Sequence, residues 1–450
     1  MRRFVSLLTV FLALSGVAYS QESSSNSSQS SDIAKEVKTL ADIEEISLDN
    51  SVTASLKKQI MDFARRKGIK FGQVENGRIF VFSVQEVDRS TSDPRFAQAR
   101  VVAFERAWLD AQKQIAYFIV KRVTTKTVRK IFENNSEGAE NIELSNWDVL
   151  KAKVAALSDA AINKALEKLG VDPSKFGNLT YEKKKELLND TLIKEILRET
   201  SAELAGTFIV QTFEGEVNGV HGVGVIAMYS PKLKYIARAI ATGSFPKISS
   251  KVGHPIDYYL PKTPHGFMST WGVRVVFTED NLPAIISFGQ WAHSYTGGDP
   301  TIKERNRKYA IEKAELLADS YISEFLNSAL YAKERSRVGQ QIKEEAVFKN
   351  GDTVVESVNR LVDERWAEIK RISKSRLSGT HTVATKLLKL PSGQELAVVV
   401  EVWTYKGFKG AQALKRNYHV KSKNAGASHS HEKRRSYVTE GKDMVEINDF

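Results

Sequence analysis

The sequence predicts an α+β protein built from two tandem copies of one unit. Each copy reads as strand, long helix, further helix or helices, β-hairpin and short helix: a small sheet with helices packed on one face. Three observations carry this. Alanine recurs at every fourth position in two distant helical stretches, at Ala103, Ala107 and Ala111 and again at Ala310, Ala314 and Ala318. Each stretch follows an apolar run of strand length, Ile79 to Gln85 in one case and Ala284 to Gln290 in the other. Each is followed later by Gly-Thr and a hairpin. A stripe of methyl groups lets a helix lie close against a sheet, so the repeated spacing implies repeated packing.

Residues 1–20 carry Arg2 and Arg3, an apolar run from Phe4 to Leu14 and the small-residue ending Ala18-Tyr19-Ser20. That order is expected of a cleaved secretory signal peptide. Residues 21–55 begin with a Ser-rich run that cannot pack and are expected to be disordered. The first module is assigned to 56–243. Its long helix is expected to start with Asp93 as cap and Pro94 as first residue, and the second module's with Asp299 and Pro300. Amphipathic helices are expected at Trp147 to Leu169 and Tyr181 to Glu199, then a hairpin turning at Asn218-Gly219 and a helix from Pro231 to Ile240. Residues 244–270 contain four prolines and the pair Tyr258-Tyr259 and read as an ordered linker. The second module, 271–414, has one charged helix from about Val354 to Ile372, a hairpin turning at Pro391-Ser392-Gly393 and a short helix near Phe408 to Leu414. Residues 415–450 form a basic, His-containing tail.

The helix pattern Arg-x-x-Ala-x-x-x-Ala-x-x-x-Ala, present at Arg100 to Ala111 and Arg307 to Ala318, followed by a hairpin, resembles a family of small outer-membrane lipoproteins. That family includes the flagellar basal-disk P protein. The pattern is also similar to the N-terminal domain of flagellar assembly protein T. The resemblance covers about 100 residues of each module. It implies a non-catalytic envelope domain that assembles into rings or disks, here present in two copies and without a cysteine to lipidate.

Composition narrows the chemistry. With no cysteine in 450 residues there is no disulfide framework, thiolate metal site, cysteine nucleophile or lipid anchor on an N-terminal Cys. No Gly-x-Ser-x-Gly elbow, His-Glu-x-x-His helix or Walker loop occurs, and no catalytic residue or cofactor is assigned. The run Gly222-Val223-Gly224-Val225-Ile226-Ala227 reads as a strand start and not as a dinucleotide loop. Among the 8 histidines only His429 and His431 have a chelating spacing, a weak metal candidate. Without Arg2 and Arg3, 64 basic residues face 54 acidic ones, a net of +10. The excess gathers near Lys433, Arg434 and Arg435, which suits an anionic membrane surface or a glycan; nucleic acid is not expected of an exported chain.

The sequence therefore points to an exported periplasmic or secreted protein that is soluble or peripheral. Its expected role is that of a non-enzymatic structural or assembly component in the cell envelope, forming a ring, disk or filament with copies of itself or with other envelope proteins. The hairpin turns Asn218, Gly219, Pro391, Ser392 and Gly393 are the expected contact elements. A ligand-binding or glycan-binding module using the cleft between the repeats, near Tyr258 and Tyr259, is the first alternative. A hydrolase of unrecognised class is the second.

Overall fold

A computed structural model describes residues 51–132, 147–242, 244, 253–293, 295, 297–337, 353–372, 379–390, 393–410 and 438–442. The expected signal peptide at 1–20 and His429, His431, Lys433, Arg434, Arg435, Pro391 and Ser392 lie outside the described residues. The first helix, α1 (Val52–Lys67), begins inside the segment expected to be disordered. Ser51 caps it by accepting the Ala54 N–H at 3.1 Å, and Val52, Leu56, Ile60 and Phe63 form its buried stripe.

The first sheet-bearing unit continues with β1 (Val74–Glu75), β2 (Arg78–Glu86), α2 (Phe96–Phe132), α3 (Asp148–Ala155), α4 (Asp159–Lys168), α5 (Tyr181–Glu203), β3 (Thr207–Val217), β4 (Val220–Tyr229) and α6 (Pro231–Ala241). The linker forms two short helices, α7 (Ile256–Tyr259) and α8 (Pro264–Met268). The second unit contains β5 (Gly272–Phe277), β6 (Pro283–Ala292), α9 (Pro300–Arg337), α10 (Val354–Ile372), β7 (Thr380–Lys389), β8 (Glu395–Thr404) and α11 (405–410). The tail returns as β9 (Val438–Glu440).

The two sheets are antiparallel and share a topology. The first runs β1-β2-β4-β3-β9 and the second β5-β6-β8-β7. The correspondence is residue by residue: Ile79 pairs with Tyr229 and Thr207 with Tyr229, just as Ile285 pairs with Trp403 and Thr380 with Trp403. Even the β-bulge recurs, between Ile209 and Gln211 in β3 and between Thr382 and Ala384 in β7. The alanine stripes pack as their spacing implies, all six residues being buried. In the second copy α9 lies so close to the sheet that a Cβ on Gly289 would sit 2.0 Å from the Ala314 carbonyl oxygen.

Three local expectations change. Asp299 caps α9 through the Thr301 and Ile302 N–H groups, but the Asp93 carboxylate is taken by the Arg95 N–H in a turn, so α2 starts two residues after Pro94. The stretch 147–169 is two helices, because Ser158 leaves the helix and caps α4 by accepting the Ala161 N–H. Part of the basic tail is a strand: β9 pairs with β3, and the Gly441 N–H donates to the Thr212 carbonyl at 2.7 Å.

One apolar core runs through both copies, with Phe104, Ile209 and Phe213 from the first packed with Trp271, Val275 and Phe288 from the second. A second core forms where Val354, Val358 and Leu361 of α10 join Ile115 and Ile119 of α2 and Ile196 of α5. The inserted helix of the second copy thus completes the helical layer of the first. The two copies therefore share their apolar cores instead of each enclosing its own.

Candidate functional site

The repeated arginine of each long helix organises a buried charge cluster. Arg100 is fully buried and forms a bidentate pair with Glu214 of β3, Nε to Oε1 at 2.5 Å and a terminal nitrogen to Oε2 at 2.7 Å. His221 of β4 lies 2.6 Å from the same carboxylate, and the Trp271 indole N–H donates to it at 3.3 Å. The guanidinium also sits 4.9 Å from the Trp271 ring. Burial alone would raise the Glu214 carboxyl, but Arg100 and His221 overcome it and hold the group down at about 2. This cluster lies at the junction of the copies: Arg100 donates to the Met268 carbonyl and to Gln290, and Gln290 donates to the carbonyls of Met268 and Thr270.

The second copy builds the same trio differently. Arg307 pairs with Glu395 at 2.5 and 2.7 Å, with His293 3.7 Å and Lys303 3.4 Å from that carboxylate. The strand register sets Glu395 at the position of His221, and Leu387 at the position of Glu214. The carboxylate has therefore moved to the neighbouring strand while the arginine has stayed. The Arg307 hydrogen bonds, against some burial, hold Glu395 at about 2, and burial lowers His293. Here the arginine side chain is 16% exposed, so this pair is less deeply buried than the first.

A cleft holding about 50 Å³ opens between the copies, away from Tyr258 and Tyr259. Its walls are Phe104, Trp108 and Gln112 of α2, Thr207 and Phe208 of β3, Tyr321 and Glu324 of α9, and Arg365 and Trp366 of α10. The Tyr259 hydroxyl instead donates to the Phe277 carbonyl at 2.8 Å, and Tyr258 stacks on His254, so the tyrosine pair braces the linker. Burial pushes the Tyr321 phenol well up, with Glu105 and Glu324 adding to the effect.

Asn218 and Gly219 form the left-handed turn that the hairpin requires, at φ 53° and 77°, and Gly393 has φ 86°. They stand at the tips of hairpins in different sheets. The Gly222 to Ala227 run lies within β4. Sheet edges differ more than tips do. β3 is buried along most of its length and its outer edge is covered by β9 at Phe213 to Gly215, whereas β7 is a mixture of exposed and half-buried residues and pairs on its β8 side alone among the described residues. No group of three or more His, Asp or Glu residues among those described could hold a metal ion, and no described helix is long and apolar enough to cross a membrane.

The arginine–glutamate trios were not readable from sequence, since Arg100 and Glu214 are 114 residues apart and Arg307 and Glu395 are 88 apart. The one available signal was the arginine repeated in register with the alanine stripes.

Residues 147–242, spanning α3 to α6, match the family described as Domain of unknown function (DUF6844). No curated protein matches the chain. Among solved structures, the hypothetical protein FTT1539c from Francisella tularensis is similar, at 20% identity and a TM-score of 0.48, with 83% of this chain and 98% of that chain covered.

Proposed function

We propose that this protein is a non-enzymatic exported component of the cell envelope that assembles through the outer edge of β7. The observation that carries this reading is the unequal treatment of equivalent strands. In the first copy the edge of β3 receives β9 at Phe213, Glu214 and Gly215; the equivalent positions of β7, Lys386, Leu387 and Leu388, receive no strand among the described residues. An unpaired row of backbone donors and acceptors is a template for another strand. The bulge does not forbid it, since β9 binds β3 beyond the same bulge.

The partner strand is β7 of a second copy, paired antiparallel about a twofold axis through Leu387. That register sets Lys386 opposite Leu388 and Thr385 opposite Lys389, so no lysine faces another. The resemblance to ring-forming and disk-forming envelope domains agrees with this reading, and the twofold dimer would be the building block of a ring, disk or filament. Light scattering over a concentration series tests it. The wild type should rise from monomer to dimer or larger, while Leu387→Lys, which sets two charges against each other on the axis, should stay monomeric. A wild type that stays monomeric at every concentration sinks the reading.

A further inference from the structure

We propose that the cleft between the copies binds a neutral acyl-amide group, such as an acetamido group, independently of any assembly through β7. Three polar atoms on its walls have no hydrogen-bond partner in the described structure: the Tyr321 hydroxyl, the Thr207 hydroxyl and Nε2 of Gln112. Their residues are at most 6% exposed. Leaving a buried polar atom unpaired is unfavourable, and three on one small cavity mark a place where something else supplies the partners.

The inventory of these atoms selects the ligand. The Gln112 nitrogen can only donate, and the two hydroxyls can donate or accept. An amide matches that set: its carbonyl oxygen accepts from Gln112 and Tyr321, and its N–H donates to Thr207. Charge selects against ions, because Arg365 and Glu324 both stand in the wall, one unfavourable to a cation and the other to an anion. Size agrees: about 50 Å³ is roughly a third of a cavity of ~150 Å³ that admits benzene, enough for a small group but not a ring. The remainder of the ligand would lie over the half-buried rings of Trp108 and Trp366.

Calorimetry and thermal shift on the full chain, with three probes, test this. N-acetylglucosamine and N-acetylalanine methylamide carry the group on a sugar and on an amino acid, and glucosamine lacks it. Saturable binding of either acylated probe, with none by glucosamine, supports the site and tells which body the group is carried on. Thr207→Val and Tyr321→Phe should each weaken that binding about tenfold, while leaving the melting temperature of the free protein unchanged or higher. Binding of no acylated probe at millimolar concentration, equal binding of glucosamine, or full affinity in both variants would overturn the proposal, leaving a cleft filled by water alone.

Discussion

The two copies place the same arginine on the same helix face and the same strand at the same position in the sheet, yet treat them in opposite ways. Around Arg100 the cluster is dry, sealed by Trp271, Gln290 and the linker carbonyls, and the neighbouring strand β3 is covered by β9. Around Arg307 the cluster is less deeply buried, with the arginine side chain 16% exposed, and Lys386 to Leu388 of β7 receive no outer strand among the described residues. The repeated pattern supplies the scaffold; position in the whole molecule decides how deeply each residue is buried.

The sharpest way to break the comparison is to remove each arginine. Arg100→Met leaves the Glu214 carboxylate buried with its main counter-charge gone, and is expected to cost about 3–5 kcal/mol. Arg307→Met leaves Glu395 with Lys303 at 3.4 Å as a remaining counter-charge, and is expected to cost less, about 2 kcal/mol. Urea unfolding of the two variants measures the gap. Equal losses would show that the two environments do not differ as described.

Acid sharpens it further. Glu214 is held at about 2 in the folded protein, below its ordinary unfolded value near 4.5. A depressed carboxylate contributes stability that is present above the unfolded value and is lost as pH falls toward the folded one. That contribution is about 3 kcal/mol, so the urea midpoint should fall between pH 4.5 and 2. In Glu214→Gln that part of the dependence should be missing, at the expense of lower stability at neutral pH.

A smaller effect separates the helix–sheet contacts. Gly289 and Ser83 occupy matching positions by strand register, yet the Ser83 site accommodates a side chain while a Cβ at Gly289 meets the Ala314 backbone. Gly289→Ala should therefore cost about 1–3 kcal/mol by pushing α9 off the sheet. Thermal melting with the same midpoint as the wild type would mean that the helix can shift freely.

Much of the fold was legible because it rests on local patterns. The alanine stripes, the apolar runs and the Asn218-Gly219 turn each specify their own geometry within a few residues. The polar stretch before residue 56 hid α1, although Val52, Leu56, Ile60 and Phe63 carry helical spacing. Ser158 split an apparently continuous amphipathic helix because its side chain competes for backbone N–H groups. The cleft and the charge clusters were not legible, for they join residues from α2, β3, α9 and α10 that only the tertiary fold brings together. The tyrosine pair of the linker was legible as an aromatic cluster but not as a brace, because the sequence does not show that the Tyr259 hydroxyl reaches the Phe277 carbonyl.

The most direct test of assembly through β7 uses the absence of cysteine from the sequence. Leu387→Cys places one thiol per chain at the proposed twofold axis, and Lys121→Cys places one on the exposed surface of α2 as a control. Under mild oxidation the first should form a covalent dimer in a concentration-dependent manner and the second should not. No dimer from Leu387→Cys, or equal dimer from both, would contradict pairing between β7 edges.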